Sequence, residues 1–204
     1  DRRTAPCSGF FARAAACSGA DRPAEQINGG RRMNTDWNSP QGDFETTEKQ
    51  ADLLTALSGQ HVTVHTCEEA DFDYMEEEDV AFVVKNPHSE ENLLVELGGG
   101  FSLFFGLWHG QYKATEEDYD RMKQDLSALL AGSAGVLSLY AEGHWLGSIL
   151  CAERVPADAD AAALLDRWQE KPEAKETLLA RGGRAELLYW DPAENKCFAV
   201  PAKG

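Results

Sequence analysis

No stretch of the 204 residues approaches the ~20 consecutive apolar residues that a helix needs to span a bilayer, and no Lys-led start feeds a hydrophobic signal core. The expected location is the cytosol, with no membrane partner. Cysteine is scarce and unpatterned: there are five, an odd number, with no CxxC pair and no histidine at zinc spacing. Cys67, Cys151 and Cys197 therefore read as reduced, buried thiols, packing as small hydrophobes. Positive charge is short as well, with 19 Lys and Arg against 35 Asp and Glu and a net charge of -16. Such a field repels phosphate backbones and anionic lipid, which argues against nucleic acid and favours cations or basic proteins as partners.

The charge is unevenly placed. Residues 1–32 hold six Arg against Asp1, Asp21 and Glu25, a balance of +3 that leaves -19 for residues 33–204. This first segment mixes Arg, Ala, Ser, Gly and Pro without a helical or strand period, so it is expected to be a disordered leader. An organelle targeting peptide or a basic interaction arm would each explain the arginines. Pro6, Pro23 and the lack of a sustained apolar face fit neither. A third reading is that Gly29-Gly30-Arg31-Arg32 ahead of Met33 is a translated purine-rich ribosome-binding site, with Met33 the true start and a bacterial source. The expected organisation is a leader and lead-in over 1–43, then one α+β domain over 44–204.

Within that domain, Thr47 and Gln50 make a capping box, and Ala51, Leu54 and Leu57 follow as a helix stripe until Gly59. His61–His65 alternates polar and apolar, as a half-exposed strand does. Glu68–Asp79 holds eight acidic residues among twelve and reads as a solvated loop. Val80–Val84, Leu93–Leu97 and Phe101–Trp108 are three sequential strands, the last apolar on both faces and so expected to be central and covered on two sides. Thr115 and Asp118 cap a second helix whose stripe is Tyr119, Met122, Leu126, Leu129 and Leu130. Val136–Tyr140 and Trp145–Cys151 flank Glu142-Gly143, a tight hairpin turn. A third helix over Ala161–Trp168 is expected to stop near Pro172, with another helical turn at Lys175–Ala180 and a last hairpin over Ala185–Trp190 and Cys197–Val200. Short turns between sequential strands imply a largely antiparallel sheet of about six to eight strands with three or four helices packed on it.

Chemistry-bearing residues cluster twice. At the end of the apolar strand, Trp108 and His109 stand between Gly106 and Gly110, which let a ligand approach, Tyr112 follows on the Trp108 face, and His144-Trp145 begins another strand with a similar pair. Were the two pairs to meet, they would form a ligand-binding or proton-relaying aromatic pocket. The alternative is ordinary core and rim packing. In the acidic stretch, Phe72, Tyr74 and Met75 are apolar anchors beside Glu76, Glu77 and Glu78, a docking surface for a basic partner. It lacks the ligand order of an EF-hand.

Other motifs fail on inspection. His61 and His65 are ~13 Å apart at strand rise, too far to share a metal. Gly147-Ser148-Ile149 lacks the second glycine of a nucleophile elbow, Cys151 has no evident base, and Gly98–Gly100 joins two strands rather than opening a helix that would cradle phosphate. No metal, cofactor or catalytic residue is expected. The chain reads as a small acidic binding module for a basic protein partner; in size and charge it resembles toxin-neutralising immunity proteins. A small enzyme or ligand-binding domain using His109 and His144 is the competing expectation.

Overall fold

The computed structural model describes residues 46–156 and 159–203. The expected leader and lead-in lie outside the described residues, and so does the Thr47 side chain of the expected capping box. Helix α1 (Thr46–Ala56) precedes strands β1 (His61–His65), β2 (Val80–Lys85), β3 (Leu93–Leu97), β4 (Gly100–Phe105) and β5 (Trp108–Lys113). Helix α2 (Glu116–Leu130) leads into the hairpin β6 (Gly135–Ala141) and β7 (His144–Cys151). Helices α3 (Ala161–Arg167) and α4 (Pro172–Arg181) precede the hairpin β8 (Gly183–Leu188) and β9 (Lys196–Val200).

Among the described residues every strand pair is antiparallel, in an α+β fold. The strands divide between two sheets rather than one. β1 to β5 form a meander in chain order, and the two later hairpins pair with each other in the order β7-β6-β8-β9. The division follows from α2, which carries the chain away from β5 and leaves the two helix-and-hairpin units to complete one another through β6 and β8.

Two-residue periodicity builds the first core. Phe82 and Val84 on β2, Leu93, Val95 and Leu97 on β3, and Leu103 on β4 share one face and are fully buried. Leu53 of α1, Leu57 just past its end, and Tyr119, Met122, Leu126 and Leu129 of α2 cover that face. The expected α1 stripe is corrected: Leu54 is 44% exposed and Ala51 is exposed, while Leu53 and Leu57 meet the sheet. A series at i, i+3, i+6 winds about 120° around a helix, whereas an i, i+4 pair stays on one side.

The expected strand over Phe101–Trp108 is also corrected. It breaks at Gly106 (φ 58), the first residue of a two-residue turn, so that Phe105 pairs with Trp108 across a hairpin. β4 is interior between β3 and β5, but only its Phe101, Leu103 and Phe105 face is buried; Phe104, on the other face, is half-exposed. Helix α2 begins as its cap predicts, with the Asp118 N–H donating to Thr115 Oγ1 (3.2 Å), while the Asp118 carboxylate accepts from the Lys113 N–H (2.9 Å).

In the second sheet, Leu137, Leu139, Ile149, Ala185 and Leu187 are buried against α3 and α4. Glu142 (φ 51) and Gly143 (φ 84) both take positive φ, as a type I′ hairpin turn needs. Pro172 does not stop α3, which ends at Arg167; it occupies the first turn of α4, where a missing N–H costs nothing. On the opposite face Val136, Leu150 and Leu188 join the first core, and the Trp190 ring lies 5.9 Å from Phe105. Asn86, 8% exposed, ties the two sheets: its Nδ2 donates to the Trp190 carbonyl (2.8 Å) and its Oδ1 accepts from the His88 N–H (2.9 Å). Of the expected buried thiols, Cys151 is buried and burial raises its pKa, whereas Cys67, just past β1, and Cys197, on the edge strand β9, are half-buried. Among the described residues, no helix is long and apolar enough to cross a membrane.

Candidate functional site

The acidic segment between β1 and β2 is a solvated loop as expected, with Glu68, Glu69, Asp71, Asp73, Glu76, Glu77 and Glu78 exposed, but it is pinned to the sheet at several points. His65 anchors its start: Nδ1 contacts the Glu69 carboxylate (2.7 Å), Nε2 contacts the Thr63 hydroxyl (2.9 Å), and the ring stacks on Phe72 at 4.5 Å. Further on, the Tyr74 hydroxyl donates to the Glu96 carboxylate on β3, and Met75 is buried. Apolar residues interspersed among the carboxylates thus pin the segment to the first sheet. Glu76, Glu77 and Glu78 remain exposed, and Tyr74 is 62% exposed.

Beside this segment is a cleft of about 300 Å³, built around the glycine turn between β3 and β4. Its lining includes Tyr74, Met75 and Asp79 from this segment, Glu96 and the glycines, and Gln111 and Tyr112 of β5. The glycines permit the geometry. A Cβ on Gly98 would lie 2.3 Å from Asp79 Oδ1, and one on Gly100 would lie 2.9 Å from the Tyr112 carbonyl oxygen. Asp79 is held in place by the Glu76 N–H, which donates to its Oδ2 (3.0 Å).

The cleft is electrostatically one-sided. Its lining includes the carboxyl groups of Asp79 and Glu96 and no Lys, Arg or His. The Tyr112 hydroxyl donates to Asp125 of α2 (2.7 Å), and burial, reinforced by that carboxylate, raises the phenol well above its ordinary range. Arg121, 5.8 Å from the Tyr112 ring centre, is already engaged by Asp118 at 3.6 Å. Such an arrangement accepts hydrogen bonds and attracts a cation, and the exposed ring of Tyr74 stands beside it.

The two histidine pairs stand on different sheets, His109 on β5 of the first and His144 on β7 of the second. Trp108 and Tyr112 lie on the core face of β5 and close over Gly110, where a Cβ would come within 2.9 Å of both side chains. His109, on the other face, is exposed and stacks on Phe104 at 5.9 Å. His144 and Trp145 open β7 in the second sheet, both exposed, and Trp145 Nε1 donates to Ser148 Oγ (2.9 Å). No hydrogen bond or ring contact joins His109 to His144. Among the described residues no group of three or more His, Cys, Asp or Glu side chains is arranged to hold a metal.

Tyr112 and Tyr74, expected to serve two separate sites, therefore line one cleft. Asp79, Glu96 and Gln111 complete it and were not singled out in the sequence. Their signal was the triple glycine, which marks a close backbone approach inside a sheet. Compared with protein-family models, curated proteins and solved structures, the chain matches none.

Proposed function

We propose that this chain is a binding module for a basic protein partner, whose Lys or Arg side chain enters the cleft at Gly98–Gly100 while Glu76, Glu77 and Glu78 attract it from the rim. The observation that carries this reading is the cleft itself, with Asp79 and Glu96 in its lining and no basic residue among them. Exposed Tyr74 supplies the aromatic contact that interface hot spots favour, and the net charge of -16 steers a basic partner inward. Phe72 and Met75 already pack within the fold, so Tyr74 is the anchor of the three that a partner meets.

The test is affinity capture from source-cell extract with the native chain, a Glu76→Gln, Glu77→Gln, Glu78→Gln variant and a Glu96→Gln variant, washed at rising salt. The expected result is a basic protein held by the native chain, released by salt, and weakened by either variant, because rim and cleft charges are screened within about 8–10 Å at ordinary ionic strength. Capture that ignores both salt and neutralisation, or that selects an acidic protein, refutes the reading.

A further inference from the structure

On the second sheet, the face opposite α3 and α4 carries a row of polar and aromatic side chains, none of which lines the cleft described above. Register places Trp145 beside Tyr140 and Tyr140 beside Arg184; one step along the strands, Ser148, Ser138 and Glu186 form the next row. The Trp145 indole is fixed by its bond to Ser148 (2.9 Å), whose hydroxyl is 2.7 Å from that of Ser138, yet Trp145 remains 48% exposed. The Arg184 guanidinium lies 4.2 Å from the Tyr140 ring centre, and its Nε donates to Glu186 Oε1 (2.6 Å). Burial, with the Glu186 charge adding to it, pushes the Tyr140 phenol up to about 12, so it is a neutral hydroxyl at physiological pH.

We propose that Trp145, Tyr140, Arg184 and Glu186 form a platform for a neutral saccharide ring, its apolar C–H face on the indole and its hydroxyls on the Arg184–Glu186 pair. Three features select that chemistry. An aromatic face held in place by its own N–H costs little entropy to use and rewards a flat apolar surface. Arg184 offers only donors and Glu186 only acceptors, side by side, which matches vicinal hydroxyls that each donate and accept; a hydrocarbon ring would cover the pair and return no hydrogen bonds. The pair is also neutral in sum, so nothing here recruits a charged ligand, and an anionic one meets the field of a chain carrying -16.

The experiment uses the full chain against an array of neutral gluco-, manno-, galacto- and N-acetylglucosamine oligosaccharides, with sialylated and sulfated glycans as the charged arm. Hits are then titrated in solution by tryptophan fluorescence. At least one neutral oligosaccharide is expected to bind, with affinity falling about tenfold or more in Trp145→Ala and in the shape-conserving Glu186→Gln. Far-UV circular dichroism checks that both variants remain folded. The proposal is overturned if no neutral oligosaccharide binds at millimolar concentration, if binding survives Trp145→Ala, or if only the sialylated and sulfated arm binds.

Discussion

Gly98 is the position at which the geometry of the cleft makes its sharpest energetic demand. A methyl group there would lie 2.3 Å from Asp79 Oδ1 and 2.6 Å from its Cγ, so the carboxylate must turn away. Turning breaks its bond from the Glu76 N–H and moves the wall of the cleft. Overpacking of this kind costs about 1–3 kcal/mol, and a hydrogen bond in a partly solvated place adds about 0.5–1.5 kcal/mol. Against this, Gly98 has no left-handed φ, so alanine also gains about 0.4–1 kcal/mol by narrowing the unfolded ensemble. The net expectation for Gly98→Ala is a loss of about 1.5 kcal/mol, or roughly 0.7 M in urea midpoint if m is about 2 kcal/mol/M. Removing the obstruction reverses the sign. In an Asp79→Ala background the same substitution is expected to stabilise by about 0.5 kcal/mol, giving a coupling energy of about 2 kcal/mol across the double-mutant cycle. Urea unfolding of the four proteins, followed by tryptophan fluorescence, measures it. An equal cost of Gly98→Ala in both backgrounds would show that Asp79 does not pack on the turn, and the account of the cleft wall would fail.

Two further outcomes probe the frame around the cleft. Asn86→Ala strips the buried Trp190 carbonyl and the His88 N–H of their side-chain partners, and is expected to cost about 2–3 kcal/mol in urea unfolding; a loss under about 0.5 kcal/mol would mean the sheets are not joined there. Asp52 on α1 accepts from Lys123 (2.7 Å) and Tyr119 (3.0 Å) of α2, and the Lys123 bond, the larger effect, lowers its pKa below the ordinary 3.8. A carboxylate depressed in the folded state contributes stability above its unfolded pKa and loses it as pH falls through the folded value. The urea midpoint of the native chain is therefore expected to fall between about pH 5 and pH 2 by more than that of Asp52→Asn, whereas parallel acid profiles would disprove the link.

How much of this was readable beforehand depended on how local the determining forces were. Helix α2 begins at Thr115 and buries Tyr119, Met122, Leu126 and Leu129, because a cap and a helical stripe act within a few residues of chain. The Glu142-Gly143 hairpin was equally legible, since positive φ at both central residues is a requirement of the turn itself. Legibility failed where two local signals competed. Phe101–Trp108 is an unbroken apolar run apart from Ser102 and Gly106, and hydrophobicity alone cannot say that Gly106 turns the chain while Trp108 opens the next strand. Pro172 fits both the end of one helix and the start of another, and only the ten-residue α4 behind it decides.

The site was legible in its parts and not in its assembly. Tyr74 and Tyr112 are thirty-eight positions apart in the chain, and what brings them to one cleft is the register of the meander, which sets β3 against β4 and β4 against β5. Register is a collective property of cross-strand packing, so residues that read as two unrelated clusters become neighbours only once all the strands are paired. The same logic explains the acidic segment. Eight carboxylates in twelve residues read as a solvated run, because composition counts charges without asking what lies between them. Phe72 finds His65, Met75 is buried, and Tyr74 finds Glu96, so the carboxylates are carried on a scaffold that faces them outward beside a cleft. A disordered acidic tail would have to be ordered at a cost on binding; a pinned one has met that cost in folding, which favours the proposal that this surface recognises a basic partner.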